Sequence, residues 1–319
     1  MPSFGSDRVE VEVLLQNYYD VGDILAFDKY AIIYKAVRKE DGKELACMEL
    51  KNISMACEAA AIDDFPTLQN ISHRNIVSHV QWISDNAFTY IIMEPMPGAV
   101  LLEQMGDHGP VSETRAVKII KQVLNASDYL HSHGIVHRDL YPEHLFFKDV
   151  SNCSPIMLCG FGMAAVCHNA YNSESLKGRC GRLGFISPER TLEKSYNAKV
   201  DIWSIGIITY ILLSGDLPFA SNEPEKYLDE IQNSSPSLFN STIWNKISQN
   251  AKDFINCLLS TDFSQRPTAV EAMAHKWIVD DALNVPLLDK EQLSRSRNDV
   301  KKRLLLTEAD WQRIINLIY

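Results

Sequence analysis

From residue 18 to residue 93 the chain alternates between apolar and polar side chains over short stretches, a pattern typical of half-buried β-strands. The clearest runs span residues 31–37, 44–50, 79–83 and 88–93. Turn signals such as Asp41-Gly42 separate these runs, and a helical stretch that ends near Leu68 lies between the second and third. The pattern predicts a small β-rich lobe with one main helix.

After Pro97-Gly98 the apolar residues recur at helical spacing. Residues 111–132 predict an amphipathic helix with Ser112 as its cap and Glu113 in its first turn. Residues 199–213 are apolar almost all round, which predicts a buried helix, whereas residues 159–185 show no period and predict a long loop. The predicted organisation is a flank (1–17), a β-rich lobe (18–97), a helical lobe (98–280) and a helical tail (281–319).

Composition narrows the class of protein. A chain of 319 residues with 46% apolar residues can bury a large core, and its longest apolar run, residues 205–213, is too short to cross a membrane. The seven cysteines show no paired spacing, which favours reduced thiols over disulfides or zinc and indicates a cytoplasmic protein. The formal net charge of -10 disfavours nucleic acid and anionic membranes as partners.

The predicted tail has its own character. Residues 288–305 form a basic, helical stretch, and apolar side chains then recur at helical spacing at Trp311, Ile314, Ile315 and Ile318. This apolar face either packs onto the main domain or binds a partner protein. A weak likeness to calmodulin-target helices makes calmodulin one candidate partner.

Motifs in a fixed order identify a family. They are His137-Arg138-Asp139, Gly160-Phe161-Gly162, Ser187-Pro188-Glu189, Asp201-Ile202-Trp203 and Arg266-Pro267. Together they resemble the motifs of eukaryotic protein kinases over roughly residues 18–278. The resemblance implies the α+β, two-lobed protein-kinase fold, with a small β-rich lobe and a larger helical lobe.

The finer resemblance is to the calmodulin-dependent kinase group, carried by the stretches 213–219 and 275–277. The tail after Trp277 resembles that of the kinase domains of giant muscle proteins such as titin, twitchin and obscurin. This likeness implies a domain of a larger cytoskeletal protein located at the sarcomere.

Several residues match positions that support the fold in this family. The resemblance implies that Glu189 pairs with Arg266 and that Asp201 ties the catalytic loop to a helix. His137 and Phe161 are likewise interpreted as structural residues.

The nucleotide-binding positions depart from the family pattern. The loop that normally covers phosphate with glycines carries Ala26, Asp28 and Ala31 instead. Met48 stands where a strand lysine holds the phosphates, and Asp64 stands where that lysine has its helix partner. Lys29 is an alternative, displaced lysine. Phe146 and Met93, with Met48, are predicted to fill the adenine pocket.

The catalytic and metal positions depart as well. Gly160 and His144 replace the aspartate and asparagine that bind magnesium, and neither side chain offers the oxygen ligand that this hard ion prefers. Tyr141 replaces the catalytic-loop lysine, so that only Asp139, the base for the acceptor hydroxyl, remains.

These departures predict a catalytically inactive pseudokinase that binds neither ATP nor magnesium and acts as a protein-binding scaffold through its helical lobe, its cleft or its tail. Two alternatives stay open. One is a weak, unconventional serine/threonine kinase that uses Asp139. The other is a switch that senses ATP without transferring phosphate.

Overall fold

The computed structural model describes residues 15–27, 31–51, 67–68, 70–84, 88–102, 110–149, 154–167, 169–171, 176–178, 181–192, 194–221, 223–233 and 238–280. Within them an antiparallel sheet is followed by a mainly helical part, which confirms the predicted α+β class. Asp28, the alternative lysine Lys29, Asp64 and the tail residues Trp311, Ile314, Ile315 and Ile318 lie outside the described residues. Among the described helices, none is both long and apolar enough to cross a membrane.

The sheet has five strands in the order β1-β2-β3-β5-β4, each antiparallel to its neighbours. The strands are β1 (Tyr19–Phe27), β2 (Ala31–Arg38), β3 (Glu44–Lys51), β4 (His79–Ser84) and β5 (Phe88–Met93). The four runs predicted from alternation match β2 to β5 to within one residue. In the middle of the sheet, Met48 stands opposite Ile33 on one side and Ile91 on the other.

The helical part is built around two long helices, α1 and α3, whose neighbours are short. The helices are α1 (Glu113–Ser132), α2 (Pro188–Thr191), α3 (Lys199–Ser214), α4 (Pro224–Asn233), α5 (Gln249–Leu258), α6 (Ala269–Met273) and α7 (Lys276–Val279). Ser112 caps α1 as predicted, since its side chain accepts from the backbone N–H of Arg115. Every residue of α3 except Lys199 is buried, as predicted from a sequence that is apolar almost all round.

The segment 159–185 was predicted as a long loop, and this was wrong in part. It contains a 3-10 turn, Phe161–Met163, and the short strand β9 (Ala165–Val166), which pairs with β6 (Ile135–Val136). A second ribbon joins β7 (Leu145–Phe147) to β8 (Ile156–Leu158). Strands of two or three residues are too short to show a period of two, so the sequence pattern does not reveal them.

A buried ion pair joins α2 to the residues that precede α6. Nη1 of Arg266 lies 2.8 Å from one carboxylate oxygen of Glu189, and Nη2 lies 3.2 Å from the other. Arg266 is 1% exposed, and its Nη1 and Nη2 also donate to the carbonyls of Lys199 and Ser260. Burial opposes ionisation of Glu189, but the charge and hydrogen bonds of Arg266 lower the pKa of its carboxyl group. The pair stays charged, with its donors satisfied.

A second buried carboxylate, Asp201 at the start of α3, holds the loop that follows β6. Its Oδ2 accepts from the backbone N–H of His137 at 2.9 Å, and its Oδ1 accepts from that of Arg138 at 2.8 Å. Nε2 of His131, near the end of α1, lies 2.9 Å from the same Oδ2. A carboxylate accepts only, so Nε2 of His131 carries the proton in this contact.

Tyr171 extends this network. Its hydroxyl lies 2.7 Å from Nδ1 of His131 and 3.0 Å from the backbone N of Ala269, the first residue of α6. Because Ala269 donates to the hydroxyl oxygen and His131 is protonated on Nε2, the Tyr171 O–H donates to Nδ1. Burial raises the pKa of Tyr171 well above its ordinary value, so the phenol keeps the proton that this bond requires. One directed chain of hydrogen bonds thus runs from α6 to Asp201.

We expect Arg266→Met to lower the free energy of unfolding by about 3 to 5 kcal/mol, because it leaves the Glu189 carboxylate buried without its partner. Denaturant titration measures the change. The double variant Glu189→Leu/Arg266→Met should recover part of the loss, since it removes the unpaired charge. A double variant less stable than Arg266→Met would contradict this interpretation.

We expect Tyr171→Phe to lower the free energy of unfolding by about 2 kcal/mol, because it strips the buried Nδ1 of His131 of a donor and the Ala269 N–H of an acceptor. Tyr18, which is 56% exposed, provides the matched control variant Tyr18→Phe. Chemical denaturation of both variants measures the difference. Equal stability of the two would show that the chain of hydrogen bonds contributes nothing.

Candidate active site

The candidate active site is the loop between β6 and β7, which carries Asp139. The Asp139 side chain is 16% exposed, while the two residues before it are buried and fixed through Asp201. Arg138 adopts a positive φ of 65°, and its Nε donates to the carbonyl of Met163 at 2.6 Å. The loop is therefore braced from α3 and from the segment after β8, and the Asp139 carboxylate that it carries is partly exposed.

His144 closes this loop against Asp139. Its Nδ1 lies 2.7 Å from the Asp139 carbonyl oxygen and 3.7 Å from the Asp139 Oδ2. The Tyr141 ring packs against the imidazole with ring centroids 4.0 Å apart. The two residues that depart from the kinase pattern in this loop therefore contact each other, and His144 also contacts the candidate base.

Gly160 faces the same imidazole. It has a φ of 83°, and a Cβ added to it would lie 2.4 Å from Cγ and Nδ1 of His144. The ring therefore occupies the space into which a side chain at residue 160 would extend. Imidazole and glycine supply no oxygen ligand, and no group of three or more metal-binding side chains occurs among the described residues. The side chains at 144 and 160 do not fit a magnesium ion, so no step is assigned to a metal there.

Three aromatic side chains connect the sheet to the catalytic loop. Phe161 lies 5.0 Å from the His137 ring and 5.1 Å from the His79 ring of β4, centroid to centroid. Nε2 of His137 donates to the Cys159 carbonyl at 2.8 Å. Burial lowers the pKa of His79 to about 4, so this ring is neutral at physiological pH. The sequence pattern placed His79 on a strand but gave no signal that it would contact Phe161.

The residues predicted to line an adenine pocket lie on apolar elements. Met48 and Met93 are 6% and 1% exposed and belong to the same core cluster. Phe146 is partly exposed, packs against that cluster and forms a bridge to Val100. Ala31 begins β2 and Ala26 lies near the end of β1, so both belong to strands of the sheet. That Phe146 and Met93 fill a nucleotide pocket stays a prediction.

Arg182 and Glu143 form a contact that sequence reasoning missed. The Arg182 guanidinium lies 4.8 Å from the centroid of the Tyr141 ring, and its Nη1 forms an ion pair with Oε1 of Glu143. Arg182 belongs to the segment 159–185, which the sequence predicts to be a loop. A segment without periodicity gave no indication of which element it would contact.

Comparison with known proteins identifies the family. A model of the protein kinase domain matches residues 19–278. Calcium/calmodulin-dependent protein kinase cmkA of Emericella nidulans is 35% identical over 303 residues, covering 95% of this chain and 71% of that protein. Calcium/calmodulin-dependent protein kinase type 1 of Macrobrachium nipponense is 32% identical, covering 93% and 89%, and type 1B of Rattus norvegicus is 35% identical, covering 81% and 72%.

These relatives overturn two predictions. The chain was expected not to be an enzyme and to bind neither ATP nor magnesium, yet the proteins it resembles are named as kinases, a class that transfers phosphate from ATP with magnesium. The physical reason for the error is that every substituted position was counted as an independent loss. The contacts at Gly160 and Tyr141 show instead that substituted positions touch each other or a side chain from another segment, so their effects are not independent. With a kinase domain matched over residues 19–278 and relatives named as calcium/calmodulin-dependent kinases, the chain belongs to the protein kinase family.

Proposed function

We propose that this chain is a weak, unconventional protein serine/threonine kinase that uses Asp139 as its base and ATP as phosphate donor. The observation that carries the proposal is the placement of Asp139. Its backbone follows two residues held by Asp201, and its carboxylate is partly exposed. A carboxylate that is fixed in this way and partly exposed is available to accept a proton from a substrate hydroxyl.

The names of the relatives support the class of reaction. Three of them are calcium/calmodulin-dependent protein kinases, and each alignment covers more than four fifths of this chain. The departures at Met48, His144 and Gly160 favour weak transfer, because each removes a charge or a ligand that the family uses. Weak phosphate transfer agrees both with the names of the relatives and with the substituted residues.

A protein-binding role accompanies the kinase role in this proposal. The basic stretch 288–305 and the apolar residues at 311, 314, 315 and 318 have the composition of a calmodulin-binding segment, and the relatives are named for calmodulin. We further propose a cytoplasmic location. The likeness of this tail to those of giant muscle kinases extends the proposal to a cytoskeletal setting such as the sarcomere. Copurification of calmodulin with the full chain, but not with residues 1–280, tests the tail.

We expect Asp139→Asn to reduce phosphate incorporation by about a hundredfold, because the amide cannot accept the hydroxyl proton. Transfer from labelled ATP to a mixture of serine- and threonine-containing peptides measures it, with ATP binding followed separately by thermal shift. ATP binding should persist, since the substitution removes a base and preserves side-chain size. Incorporation that is absent from the unsubstituted chain, or that is the same in Asp139→Asn, would contradict the proposed kinase activity.

The contact between His144 and Gly160 gives another expectation. Gly160→Asp alone should lower the free energy of unfolding by about 1 to 3 kcal/mol, because its Cβ would meet the imidazole ring. His144→Asn/Gly160→Asp should recover part of that stability, because the ring is gone but the positive φ at residue 160 remains. The double variant should also show a magnesium-dependent increase in melting temperature with ATP, since the pair supplies two oxygen ligands. Equal stability of Gly160→Asp and the double variant would show that the ring does not restrict residue 160.

A further inference from the structure

Transfer of a terminal phosphate needs positive charge beside the base, and the catalytic loop supplies none from the usual position. Tyr141 stands where the kinase pattern places a lysine. A phenol carries no positive charge, and the phosphate oxygens become more exposed to repulsion from Asp139 when no cation lies between them. A compensating cation must therefore come from another element if the loop is to serve phosphate transfer.

Gly181 brings such an element against the loop. It has a φ of 99°, and a Cβ at this position would lie 3.0 Å from the carbonyl oxygen of Arg138 and 3.2 Å from Nη2 of Arg190. Nη1 of Arg190 donates to the same carbonyl at 2.7 Å. The backbone at Gly181 therefore packs directly on the residue that precedes Asp139, and only glycine fits there without displacing the loop.

The next residue, Arg182, turns its side chain across the loop. The guanidinium lies over the Tyr141 ring and pairs with Glu143, and the side chain is 19% exposed. Burial works against its charge, but Glu143 first, with Tyr141 and Asp139 adding to it, raises the pKa of the guanidinium. A delocalised guanidinium stacks on an aromatic face in a way that a lysine ammonium does not. Tyr141 and Arg182 thus form one unit in which the lost loop cation is matched by a cation from the neighbouring segment.

We propose that Arg182 binds the terminal phosphate of the nucleotide in place of the catalytic-loop lysine, with Tyr141 as its platform and Glu143 as the carboxylate that pairs with it when no phosphate is bound. This inference rests on the proposed kinase function. A guanidinium has five N–H donors, so the pairing of Nη1 with Glu143 leaves it able to bind phosphate oxygens. Glu143 and the phosphate then compete for one charge.

Because of this competition, substitutions of Arg182 and of Glu143 should change the affinity for phosphate in opposite directions. Arg182→Met should weaken the binding of ATP and of inorganic tripolyphosphate by about ten- to hundredfold, because it removes a charge-assisted contact. Glu143→Gln should tighten both, because it frees the charge of Arg182. Arg182→Lys should recover only part of the affinity, since an ammonium lacks the planar fork. Lys177→Met, an exposed cation of the same segment, is the matched control and should change neither. Isothermal titration of the full chain measures each affinity, and circular dichroism checks that each variant is folded.

The outcomes separate this inference from the proposed function. Unchanged affinity in Arg182→Met, weaker binding in Glu143→Gln, or an unsubstituted chain that binds neither probe would overturn the role of Arg182. Phosphate transfer that depends on Asp139 but not on Arg182 would leave the kinase function standing without it. Binding that depends on Arg182, with no transfer by any variant, would retain the phosphate site and remove the kinase activity.

Discussion

The geometry of the catalytic loop, between β6 and β7, depends on one buried carboxylate. Asp201, 1% exposed, accepts the backbone N–H groups of His137 and Arg138 and the Nε2–H of His131. Burial alone would raise its pKa, but the hydrogen bonds from His131 and from the loop amides lower it. An ionised carboxylate that accepts three donors fixes the backbone of the residue before Asp139. Removal of any donor would leave that charge undercompensated in the core.

Local pattern determined how much of this fold could be predicted. Alternation located β2 to β5, and a sequence apolar almost all round located α3, because both signals lie within a single element. The motifs around Asp139 and Glu189 likewise placed the candidate base and the buried ion pair on their elements. The contact of Tyr171 with His131 spans 40 residues and that of Arg182 with Glu143 spans 39, so neither could be found from spacing. The structure makes Tyr171 a link between α6 and α1.

The same limit explains the failed prediction of inactivity. A position such as Gly160, taken alone, counts as a missing metal ligand, and His144 counts as a second loss. In the structure the two are one steric unit, because the imidazole fills the space that a side chain at 160 would need. Tyr141 and Arg182 form a second unit, in which the ring that replaces the loop lysine contacts a guanidinium from another segment. The number of departures from a family pattern therefore overstates the number of independent physical changes.

A cation from the segment after β9 is held beside Asp139 in a different way from a lysine of the catalytic loop. A loop lysine moves with Asp139, but Arg182 keeps its place only while its own segment stays packed on the loop. Gly181 against the Arg138 carbonyl provides that packing, and Arg190 donates to the same carbonyl. Asp201 holds Arg138 from the opposite side. The positions of Asp139 and Arg182 therefore both depend on the backbone of one residue, Arg138. This shared support explains how the substituted site can keep the carboxylate and the guanidinium at a fixed distance from each other.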